Sequence, residues 1–188
     1  MPNSIERRTF LQFSSLALGG SVLNATPTVP NFSNASTQAA QNLDVTRILA
    51  RYVVKSQWSD IPDSARQEAS RSMFNWIGCT LGGAPHVTTD RALAALLEFS
   101  GTPEATILGR TERLDILHGA LINGITSHVL DYDDTHLETI IHPAGPVAAA
   151  ILALGERMHT TGEDFMHAFI LGVEVECRIG KAVYPAHY

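Results

Sequence analysis

From Asp44 to Lys181 apolar residues recur at three- and four-residue spacing, and Gly, Pro or small polar residues mark the breaks, the signature of successive amphipathic helices. The first predicted helix runs from Asp44 to Ser56 and buries Ile48, Leu49, Tyr52 and Val53. Pro62 suits the first turn of a second, which carries Ala65, Ala69, Met73, Trp76, Ile77 and Leu81 and stops at Gly82-Gly83. A third spans Thr89 to Phe99 and is stopped by Gly101. The short apolar piece Ala105 to Leu108 reads equally as a small strand or a loop. In a fourth helix, Leu114 to Leu130, Leu117, Leu121 and Ile125 form the expected apolar stripe, while Gly119, Ala120 and Gly124 leave room for a close neighbour. Pro143 and Pro146 open a fifth that reaches Met158, where alanines at 148, 149, 150 and 153 imply tight burial. The last runs from Thr161, where T-G-E-D has capping-box spacing, to Lys181. The fold class expected is all-α, over residues 43–188.

The chain ahead of these helices has a different character. Arg7 and Arg8 precede Phe10-Leu11, an apolar and small-residue run from Ser14 to Val22, and a Leu23-Asn24-Ala25 exit. That order resembles a twin-arginine export signal over residues 1–25, and it implies a folded protein delivered to the periplasm. The run is too short, and too interrupted by Gly19 and Gly20, to stay as a membrane anchor. Residues 26–42 are rich in Ser, Thr, Asn, Pro and Ala and read as a flexible linker.

Charge narrows the partners. A net charge of −6 with 13 basic residues carries no footprint for nucleic acid. The two cysteines, Cys79 and Cys177, fall far apart in apolar helical patterns and are expected as buried free thiols, with no CxxC.

The chemistry concentrates between His128 and Pro143. HVLDYDDTHLETIIHP packs four carboxylates and three histidines between two core helices. Asp131, Asp133 and Asp134 cannot all stay ionised close together in a dry pocket, so the segment calls for cations, hydrogen-bond donors or a metal. Asp133, Asp134 and Glu138 could hold Mg²⁺, and DxDD also looks like the proton-donating motif of class II terpene cyclases. With 7% aromatic residues the chain lacks the lining that carbocation chemistry needs. His128, His136 and His142 are candidates for a transition metal, although no pair has the one-turn spacing of HExxH. A solvated loop whose aspartates cap helix ends explains the same residues without chemistry, and Asp133 and Asp134 fit that role.

The strings NWIGCTLGG, GALINGITSHVLDYDDTH, HPAGPVAAAILALGE, TGEDFMHAFILGVEVECRIG and YPAHY, in this order from about Val45 to Tyr188, resemble the amino-terminal helical domain of the MmgE/PrpD family. The family includes 2-methylcitrate dehydratases and cis-aconitate decarboxylases. The resemblance implies a lyase for small di- or tricarboxylic acids, usually a homodimer, needing no cofactor and no metal. It implies catalytic roles for Asp131 and His142 and a substrate-binding role for Thr135. Further catalytic histidine and lysine residues are expected beyond Tyr188, so the chain is expected to be truncated and inactive alone. The alternative is a helical domain that keeps the fold but serves binding or dimerisation.

Overall fold

Helix ends fall where capping chemistry puts them in a computed structural model that describes residues 44–186. The expected export signal and linker, and His187, lie outside the described residues. Helix α1 (Val45–Lys55) starts at Asp44, whose carboxylate accepts the Arg47 N–H at 3.0 Å, and ends at Ser56. A 3₁₀ turn at Trp58–Asp60 leads to α2 (Asp63–Gly83), opened by Pro62, which has no N–H to leave unpaired. Helix α3 (Val87–Leu96) is capped by the His86 imidazole and tightens into a 3₁₀ turn at Leu97–Phe99.

The segment 105–108 resolves in favour of a strand. β1 (Ala105–Thr106) pairs antiparallel with β2 (Arg113–Leu114), with Ala105 opposite Leu114. Helix α4 (Ile116–His128) follows, with Asp115 accepting the N–H groups of Leu117 and His118. Helix α5 (Ala144–Met158) ends at His159 in the left-handed region, φ 53°. The Thr161 hydroxyl caps α6 (Gly162–Val183) by accepting the Asp164 N–H at 3.1 Å. Asp164 accepts the Thr161 hydroxyl rather than a backbone N–H, so the capping box is only half formed. The fold among the described residues is therefore all-α, six helices with one two-residue hairpin. No helix there is long and apolar enough to cross a membrane.

Two clusters hold these elements together. Ala69, Met73 and Trp76 of α2 meet Ala144, Ala148 and Ala149 of α5 and Phe169 of α6, and a smaller group joins Leu93, Ile107, Leu114 and Ile122. Burying one large side chain of this kind contributes about 1.5–3 kcal/mol. Small residues set the spacing: a Cβ on Gly83 would fall 2.1 Å from the Thr126 carbonyl oxygen, so only glycine lets α2 approach α4 this closely.

Three expectations are corrected here. Helix α1 fully buries none of its stripe: Ile48, Tyr52 and Val53 are exposed and Leu49 is half-buried. In α4, Leu117 and Leu121 face outward. The buried face instead carries Gly119, Ile122, Asn123, Thr126 and Ser127. Asn123 is there because it completes the hairpin's hydrogen bonds, accepting from the Leu108 N–H at 3.0 Å and donating to the Thr106 carbonyl at 2.8 Å. Leu81 and Ala150 are likewise exposed, on the outward sides of α2 and α5.

Candidate active site

The segment joining α4 to α5 turns back on itself. His136 forms an isolated bridge with Ile141, donating its N–H to that carbonyl at 2.8 Å, and Asp131 and Ile140 adopt positive φ of 53° and 55°. Left-handed backbone costs an Asp less than most residues, since its short polar side chain can bond locally. The fold-back brings His142, just ahead of α5, beside the residues that leave α4.

Asp133 lies at the centre of what results. Its side chain is only 1% exposed and faces two imidazoles: Nδ1 of His128 stands 3.0 Å from Oδ1 and 3.2 Å from Oδ2, and Nδ1 of His142 stands 3.6 Å from Oδ1. The two rings are tilted at 57° with centroids 4.8 Å apart. Asp131 reaches the far side of His142, Oδ1 to Nε2 at 4.0 Å, from a largely exposed position. Asp131 and His142 are thus brought together. Thr135 is exposed nearby, its hydroxyl turned back toward the Asp133 carbonyl at 3.5 Å.

Asp134 has a different task. It accepts the first N–H of α5, from Ala144, at 3.2 Å and the Ser72 hydroxyl at 3.2 Å, which ties the loop to α5 and α2. Burial nevertheless pushes its carboxyl above the usual range, because these bonds and His142 only partly offset the lost hydration, and Asp133 adds repulsion. Burial likewise raises Glu176 on α6 and, helped by Glu176 and Glu174, pushes the Cys177 thiol up to about 11. Cys79 is buried, Cys177 half-buried, and both are free thiols.

His136 stays out of the cluster, its Nδ1 2.6 Å from the buried Thr139 hydroxyl. Glu138 is an exposed partner of Lys181 on α6, which holds its carboxyl below the ordinary value. Asp133, Asp134 and Glu138 therefore do not converge as the Mg²⁺ reading required. His118 supports the α4 cap through Asp115, and His167 bonds Ser56 at 3.0 Å and meets the Trp58 ring edge-on. These histidines act structurally.

The sequence did not single out His128 and Asp133 as joint members of the centre. Their five-residue separation matches no helical or strand period, and a reversal of the chain puts them together. A cap role suits Asp134, whereas Asp133 binds side chains. Two clefts among the described residues, about 650 and 630 Å³, are lined by neither Asp131 nor His142. The His–Asp centre is instead an open face at the α4–α5 junction.

Comparison with known proteins places this junction in context. The MmgE/PrpD N-terminal domain matches residues 47–188, which includes the whole loop. The cis-aconitate decarboxylase-like protein oryM of Aspergillus oryzae is 27% identical over 150 residues, covering 76% of this chain and 31% of that protein. Cis-aconitate decarboxylase of Aspergillus terreus is 26% identical over 145 residues, 74% of this chain and 30% of the relative. The human cis-aconitate decarboxylase is 29% identical over 125 residues, 63% of this chain and 26% of the relative. The chain thus spans roughly three-tenths of the length of these curated relatives. With its helical architecture and a family match over most of its length, the chain belongs to the MmgE/PrpD family and carries that family's N-terminal domain.

Proposed function

We propose that this chain is the helical part of a lyase that acts on a small di- or tricarboxylic acid by proton transfer, without a cofactor, in the manner of a cis-aconitate decarboxylase or a 2-methylcitrate dehydratase. Family membership and the names of the relatives support the reaction class. The observation that carries the site assignment is His142 held between Asp131 at 4.0 Å and the buried Asp133 at 3.6 Å.

Losing CO₂ breaks a C–C bond and leaves its electron pair on carbon, which must then take a proton. Losing water takes a proton from carbon and needs another for the departing hydroxide. Both call for an acid–base group beside the reacting carbon and positive charge where negative charge develops. His142 supplies the proton or the charge, and the flanking carboxylates orient its ring. His128, paired with Asp133, adds a second cation when protonated. The exposed Thr135 hydroxyl donates to a substrate carboxylate without adding charge.

Cover for this open face comes from a second copy in a homodimer. The proposal also includes export by the twin-arginine route to the periplasm, which Arg7→Lys with Arg8→Lys in a reporter fusion should block. Incubating the complete gene product with cis-aconitate and with 2-methylcitrate, with products followed by proton NMR, tests the activity. Turnover of either acid that survives EDTA is expected. Failure with both, in folded protein, would favour a binding or dimerisation domain.

A further inference from the structure

The centre at the α4–α5 junction holds more donor atoms than proton transfer needs. His128, Asp131, Asp133 and His142 each place one donor atom within 4.8 Å of all the others. Two are imidazoles, from the end of α4 and the start of α5, and two are carboxylates, a mixed N₂O₂ set suited to Zn²⁺ or a similar divalent transition metal. Tetrahedral zinc with bonds of about 2.0–2.1 Å has ligand-to-ligand edges of about 3.3 Å. The edges here from Asp133 Oδ1 to the two Nδ1 atoms, 3.0 and 3.6 Å, bracket that value, while the exposed Asp131, 4.0 Å from His142 Nε2, must swing in to complete the set. A separate observation points the same way: His142 Nδ1 is shielded from solvent and has no hydrogen-bond partner, its nearest carboxylate oxygen, Asp133 Oδ1, lying at 3.6 Å.

We propose that these four residues form a binding site for a divalent transition metal, and that a bound metal stops turnover. The second half rests on the lyase reading. A metal engages the lone pair with which His142 would take up a proton and neutralises the carboxylates beside it. Occupancy and proton transfer then exclude each other.

The binding half is tested without any turnover. The full chain, freed of metal, is titrated with ZnCl₂ by calorimetry and with CoCl₂ by visible absorption, which reports a tetrahedral N/O site. One equivalent is expected to bind, with Asp131→Asn and His128→Ala each lowering affinity at least about 10-fold. Both side chains are largely exposed, at 78% and 53%, so these variants should keep the fold, which circular dichroism verifies. His86→Asn, which retains the α3 cap, should bind as the unaltered chain does. Absence of saturable binding, or binding unchanged in folded Asp131→Asn and His128→Ala, overturns the site. For the inhibitory half, Zn²⁺ should suppress turnover by the complete gene product and EDTA should restore it. Full turnover with the metal demonstrably bound overturns that half while leaving the lyase reading in place.

Discussion

Asp133 and Asp134 are sequence neighbours with different partners. Asp133 is enclosed but faces two imidazoles, whereas Asp134 is enclosed with a backbone N–H and a hydroxyl, and its carboxyl is raised. A raised carboxyl binds its proton more tightly in the folded state. Its contribution to stability is therefore present below the ordinary carboxylate range, about pH 4, and is lost as the pH rises through the folded value. Asp134→Asn keeps an oxygen for the Ala144 N–H and removes the buried charge. Its melting temperature should gain on that of the unaltered chain between about pH 4 and pH 7, and a gap that shrinks over that range would contradict the assignment. Asp115 behaves in the reverse sense. The His118 ring and the N–H groups of Gly101 and His118 hold its carboxyl well below the usual range. Its support is complete above about pH 4 and drains in acid, so Asp115→Asn should cost stability at neutral pH and progressively less toward pH 2, read by urea midpoints.

At the scale of elements, helix ends were readable because caps are local chemistry: Asp44, Pro62 and Thr161 each mark a boundary within a residue or two. Helix faces were less readable, since which side is covered depends on partners. Leu117 and Leu121 look like a core stripe, yet α4 turns Asn123 and Thr126 inward, where Asn123 serves the hairpin and Thr126 meets Thr89 at 3.2 Å. Glycine positions give a paired test of the packing in α2. Gly83→Ala forces a Cβ onto the Thr126 carbonyl and should cost about 1–3 kcal/mol or more. Gly78→Ala meets nothing within 4 Å and should gain about 0.5–1 kcal/mol from the better helix former. Urea denaturation of both variants checks this, and equal effects would show that the α2–α4 approach is not as close as described.

For the whole molecule, Val45, Ile48, Tyr52 and Val53 leave one side of α1 apolar and exposed, the kind of surface that a larger assembly covers. Sedimentation should show the chain self-associating, and Ile48→Glu with Val53→Glu should reduce it; a strict monomer before substitution would argue against a homodimer built on this face. The candidate centre was partly legible in the sequence: Asp131 and His142, to which the resemblance assigns roles, have side chains 4.0 Å apart. The sequence did not reveal that Asp133, rather than Asp134, turns inward between two imidazoles. That choice depends on the left-handed backbone at Asp131 and the fold-back at His136, which no local period encodes.

The central claim is that His142 carries the proton or the charge, and the most direct measurement is turnover of cis-aconitate and 2-methylcitrate by His142→Ala in the complete gene product. A methyl group offers neither function, so kcat/KM should fall by about 10²-fold or more while circular dichroism stays unchanged. Asp131→Asn, which keeps the shape and loses the charge, should fall less far but still measurably. Near-normal turnover in folded His142→Ala would contradict the account and place the chemistry elsewhere.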